Sequence, residues 1–89
     1  MTKIEVCRKI TGLNKPHQRT IIYSIVDEDD DGPRYGTSIK CVETGTEAVA
    51  RRLTDDRERI ESAADFLASY GISPAAMEKV VYDILKVQQ

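Results

Sequence analysis

The stretch from Arg19 to Val26 constrains the fold more than any other part of the chain. It reads Arg-Thr-Ile-Ile-Tyr-Ser-Ile-Val, so an extended backbone carries Ile21, Tyr23 and Ile25 on one face and Ile22 and Val26 on the other. A strand that is apolar on both faces belongs in the middle of a sheet, covered above and below. The rest of the chain must therefore supply flanking strands and a covering layer.

Flanking strands are legible on both sides. Ile4, Val6 and Ile10 alternate with Lys3, Glu5, Cys7 and Lys9, a period of two that marks a strand over about 3–10. Thr11 to His17 crowds Gly12, Asn14 and Pro16 into one loop. The central strand spans about 19–28 and is reversed by Asp29-Asp30-Asp31-Gly32-Pro33, where aspartates cap turn amides and Gly32 is expected to take a positive φ. The return strand covers about 34–43, with Tyr35, Thr37, Ile39 and Cys41 on one face. Residues 46–53 suit either period: Val49, Arg51 and Leu53 alternate, while Ala48, Ala50 and the arginines also suit a helix. A strand over about 47–53 is the reading adopted, because Thr54 and Asp55 then form the N-cap of a new helix.

Helical spacing follows. Ile60, Ala63, Ala64, Leu67 and Ala68 make one stripe over about 55–70, closed at Gly71, and Met77, Val80, Val81, Ile84 and Leu85 make another over about 74–87, opened by Ser73-Pro74. Strands first and helices second define the α+β class: an antiparallel four-stranded sheet followed by two C-terminal helices on one face, in a single domain covering 1–89. A chain of 89 residues buries roughly 60 to 65% of its unfolded surface, enough for one core.

Composition excludes several functions. No apolar run approaches membrane-spanning length, and MTKIEVCRKI lacks the apolar centre of a signal peptide, so a cytoplasmic protein without membrane contact is expected. Cys7 and Cys41 stand far apart and outside any CxxC pattern, which indicates neither a disulfide framework nor zinc. A net charge of −2 gives no general attraction to phosphate.

Candidate sites are few. Asp27-Glu28-Asp29-Asp30-Asp31-Gly32 resembles the first half of a calcium-binding EF-hand loop, with Asp27, Asp29 and Asp31 as ligands. The twelfth position is Ser38 where a bidentate glutamate is needed, and the flanks read as strands. A solvated hairpin tip is the plainer reading. Arg51, Arg52, Arg57 and Arg59, joined by Tyr23 and Tyr35 as stacking platforms, form the elements of a nucleic-acid surface, which the overall acidity disfavours. Paired with Asp55, Asp56, Glu58 and Glu61, they are ordinary surface arginines. His17 lacks a fixed partner, no nucleophile sits in an activating motif, and no cofactor motif is present, so no catalysis is expected.

Residues 21–85 carry a resemblance. Tyr23-Ser24-Ile25-Val26 with its acidic turn, then Tyr35-Gly36, Ile72-Ser73-Pro74 and Val80-Val81-Tyr82-Asp83-Ile84-Leu85 resemble a small family of bacterial proteins, chiefly from Gram-positive Firmicutes, built on a domain of unknown function. The family's His-Leu pair after Ser-Pro stands here as Ala76-Met77. The resemblance implies a fold and a bacterial cytoplasmic source, and it transfers no activity.

The central strand supplies one further expectation. Two helices cover one face of a four-stranded sheet, leaving the other to a homodimer, to a protein partner, or to the N-terminal strand and the loop at 11–18. Ile22, Val26, Tyr23 and Tyr35 are the candidate contact residues, and a non-catalytic interaction module is the function expected.

Overall fold

The change of period at Thr54 is the change from sheet to helix. The computed structural model describes residues 1–12 and 17–87, so Leu13 to Pro16 of the first loop lie outside the described residues. Four strands, β1 (Thr2–Thr11), β2 (Arg19–Asp27), β3 (Tyr35–Cys41) and β4 (Glu47–Thr54), precede two helices, α1 (Arg57–Ser69) and α2 (Pro74–Val87). All neighbours are antiparallel in the order β1-β2-β3-β4, with β2 and β3 central. The segment 47–54 is a strand.

Both helices lie on one face. Tyr23, Ile39 and Ala50 from the sheet meet Ala63, Leu67 and Ala68 of α1 and Met77, Val81 and Leu85 of α2. A second group joins Ile25 and Tyr35 to Ile60 and Ala64. Every apolar position read for α1 is buried, and in α2 Val80 and Ile84 are half-buried beside Met77, Val81 and Leu85. The two stripes fall on the sheet because both were spaced at the period of a helix.

Helix α1 is capped one residue later than Thr54-Asp55 implies. Asp56 is the N-cap, its carboxylate accepting from the N–H groups of Glu58 and Arg59, while the Thr54 hydroxyl accepts from the Asp56 N–H at 3.1 Å. Asp56 takes an extended conformation that aims its carboxylate at free amides of the first turn. At the other end Gly71 takes φ 62°, and the N–H groups of Gly71 and Ile72 donate to the carbonyls of Ala68 and Leu67.

Two irregularities overturn the simple alternation at the sheet edges. A bulge lies between Glu5 and Cys7, so Ile4, Cys7 and Lys9 pair with the inward-facing Ile25, Tyr23 and Ile21. Lys3, Glu5, Arg8 and Ile10 share the outer face, and Ile4 and Ile10, which simple alternation puts together, are separated. In β4, Arg51, Arg52 and Leu53 lie between the paired Ala50 and Thr54 where β3 offers Gly36 alone. Arg52 takes φ 54° there. A Cβ on Gly36 would collide with the Ala50 carbonyl oxygen and the Arg51 Cα, so only glycine permits this approach.

The turn after β2 also differs from expectation. Asp29, not Gly32, takes the positive φ, at 57°, and the Gly32–Pro33 peptide is cis. Gly32 serves a close approach instead, since a Cβ would sit 3.0 Å from the Asp55 Cβ.

These contacts predict the outcome of urea unfolding. Leu67→Ala or Ile60→Ala should each cost about 2 to 5 kcal/mol, as buried large-to-small changes do. Tyr82→Ala, on an exposed position of α2, should stay within about 0.5 kcal/mol. Equal effects at the three positions would contradict the helix faces described.

Candidate interaction surface

The face of the sheet away from the helices carries Lys3, Glu5, Arg8 and Ile10 of β1, Ile22, Ser24 and Val26 of β2, Gly36, Ser38 and Lys40 of β3, and Glu47, Val49 and Arg51 of β4. Its centre is small: Ser24, Gly36 and Ser38 lie side by side and are buried. Lys3 and Glu47 stand on opposite edge strands, yet their side chains meet at 2.5 Å. On a flat sheet that pair would be roughly 20 Å apart, three strand spacings across and four residues along. The sheet therefore coils, and its concave outer face closes over Val26, which is fully buried.

The closing contact runs diagonally, from Lys3 near the β2–β3 turn to Glu47 beside Lys40 near the β3–β4 turn. At the end nearest the β3–β4 turn Ile10 and Val42 are exposed and Ile22 is half-buried, while Val49 is exposed on β4 beside the central Ser38. Strand β1 runs past this region at the sheet margin, hydrogen-bonded to β2 on one side, and none of its residues is buried.

This arrangement corrects three of the four contact candidates. Val26, Tyr23 and Tyr35 are 0%, 2% and 9% exposed and present no surface to a partner. Tyr23 faces the helices, its hydroxyl donates to the Ile72 carbonyl at 3.1 Å, and burial pushes its phenol pKa up. The Tyr35 ring is covered by the guanidinium groups of Arg34 and Arg57, at 5.3 and 5.6 Å. Only Ile22 keeps a place at the open end.

The acidic segment is no free tip. Asp27 accepts from the Nε and Nη2 of Arg34, and Arg34 Nη2 also reaches Asp29 at 3.1 Å. Glu28 accepts from Arg51 and Asp30 from Arg52, each through two nitrogens. Arg51 lies over the Glu28 carboxylate, whose side chain is 4% exposed. The turn is thus clasped onto β4, which explains why two arginines sit at its bulge. Two of the three proposed cation ligands, Asp27 and Asp29, bind Arg34, and Asp31 lies exposed at the turn. Among the described residues no group of three or more histidine, cysteine, aspartate or glutamate side chains is placed to hold a metal ion.

The arginines proposed for phosphate are engaged by the same logic. Arg51 and Arg52 hold the turn, Arg57 pairs with Glu61 at 2.7 Å, and Arg59 donates to the Leu85 carbonyl at 2.6 Å, near the C-terminal end of α2. With Tyr23 and Tyr35 inside, the pieces of the nucleic-acid surface are not assembled. An open cleft of about 370 Å³ lies between β4 and α2, lined by Arg52, Leu53, Tyr82, Leu85 and Lys86. Its polar lining is Arg52, Tyr82 and Lys86. Cys7 and Cys41 are free thiols.

Sequence reasoning missed the bulge in β1. The signal was present in the pattern itself: after Ile4 and Val6 the next even position is Arg8, a charge where continued alternation needs an apolar residue.

The fold and this surface define the class: an α+β domain built as a four-stranded antiparallel meander with a helical pair on one face and an open margin on the other. The chain belongs to the Family of unknown function (DUF6514), whose model matches residues 1–87. Comparison with curated proteins and with solved structures gives no match. No helix among the described residues is long and apolar enough to cross a membrane.

The clasp has a predicted pH signature. Hydrogen bonds from Arg34, Arg51 and Arg52 hold Asp27, Glu28 and Asp30 below their ordinary values of 3.8 for aspartate and 4.5 for glutamate. A carboxylate depressed in the folded state stabilises above its unfolded value, and that contribution is lost as pH falls through the folded one. Melting temperature should therefore be level near pH 6 and fall below about pH 4.5. Glu28→Gln with Asp30→Asn should flatten that fall, and an unchanged slope would show that the clasp does not persist in solution.

Proposed function

We propose that the protein is a small, non-catalytic interaction and regulatory module of the bacterial cytoplasm that works as a homodimer. The observation that carries this reading is the open margin. β1 is an edge strand of ten residues with none buried, beside an outer-face end where Ile10 and Val42 are exposed. An exposed strand edge is a template for a further strand, and adjoining apolar side chains add area that water disfavours. Two free thiols suit a reducing compartment. The nucleic-acid alternative loses support because its arginines serve carboxylates and a helix end within the chain.

Sedimentation of the full chain across the micromolar range tests this proposal. A concentration-dependent shift from monomer to dimer is expected. A strict monomer throughout that range would overturn the homodimeric reading.

A further inference from the structure

The edge that remains open is not a regular strand, and its irregularity specifies a mode of self-association. In a regular strand, antiparallel partners that share a face must both be odd or both be even in number. The bulge at Val6 breaks that rule in β1: Lys3 and Glu5 lie on the outer face before it, Arg8 and Ile10 after it, with Ile4 inward before and Cys7 and Lys9 inward after. A second copy of β1 laid antiparallel along the free edge matches face to face across the bulge only in an odd register. Registers that stay on one side of the bulge pair only a few residues.

Charge then selects among the odd registers. One puts Lys3 opposite Arg8 of the second copy, twice by symmetry, and sets like charges together. The next puts Glu5 opposite Arg8, Lys3 opposite Ile10, Ile4 opposite Lys9, and Val6 opposite Cys7. It brings two opposite-charge pairs to the axis. Glu5 and Arg8 already meet at 2.8 Å within one chain, both about half exposed, so two copies would form one alternating four-charge cluster.

The other edge does not offer this. β4 carries three residues against one at its bulge, a positive φ at Arg52, and the clasped turn over Arg51 and Arg52. We infer that two copies of this chain associate by antiparallel pairing of their β1 strands about a two-fold axis at the Val6 bulge, with Glu5 of each copy opposite Arg8 of the other. This inference rests on the homodimeric reading above and names its seam.

Complementary charge reversal tests it. Glu5→Arg and Arg8→Glu each place like charges opposite one another in a homodimer. Each variant alone should dimerise about tenfold or more weakly than the wild type while melting within a few degrees of it. Mixed in equal amounts, the two should recover the dimer, because every cross-strand pair is then opposite in sign although the pair within each chain stays repulsive. If the single variants dimerise like the wild type, or the mixture fails to recover association, the β1 seam is wrong and another surface joins the copies. A wild type that never dimerises removes the homodimeric reading along with it. Amide exchange on the wild type decides the matter should either variant unfold: protection of β1 amides must rise with protein concentration, and protection independent of concentration would overturn the seam.

Discussion

Two helices can shelter only one side of a four-stranded sheet, and the structure depends on how the other side is handled. Small residues at Ser24, Gly36 and Ser38 let the sheet curl into a concave outer surface, and Val26 disappears into it. Burial of a valine side chain contributes roughly 1.5 to 3 kcal/mol, whereas a partly exposed ion pair such as Lys3–Glu47 contributes at most about 1. The curl is thus driven by burial and by the backbone approach at Gly36. The ion pair follows from it. Because the small residues occupy only the centre of that side, the curl covers Val26 and leaves Ile10 and Val42 exposed.

Charge placement follows the same economy. The carboxylates after β2 and the arginines of β4 look in the sequence like two separate surface features of opposite sign. In three dimensions they answer each other: the turn folds back, and Glu28 and Asp30 receive Arg51 and Arg52 while Arg34 serves Asp27. A segment read as a solvated hairpin tip is instead an internal fastening. The fastening also gives the strained Arg52 a compensating contact, in keeping with positive φ being confined to residues held in place by their surroundings.

Much of the fold was legible because its elements obey single periods. The α1 and α2 stripes, the inward set of β3 and the division of β2 into two faces all follow from spacing. What failed was local and concerned backbone exceptions. Residue-by-residue alternation has no means of registering an extra residue, so it puts Ile4 and Ile10 on one side of β1 and hides the outer exposure of Ile10. The contact candidates failed for a different reason. Apolar character on both faces of β2 indicates cover on both faces, but the cover over Val26 comes from the curl of the sheet itself, which depends on the small residues Ser24 of β2 and Gly36 and Ser38 of β3 and not on any one segment.

The hydrogen bond from the Tyr23 hydroxyl to the Ile72 carbonyl joins the middle of the sheet to the short connection between the helices. Anchored there, the helical hairpin cannot peel off without exposing a phenol from the interior. The chain has no tryptophan, so near-ultraviolet dichroism is dominated by its tyrosines, and release of Tyr23 from its asymmetric site would dim that signal in step with the loss of helix.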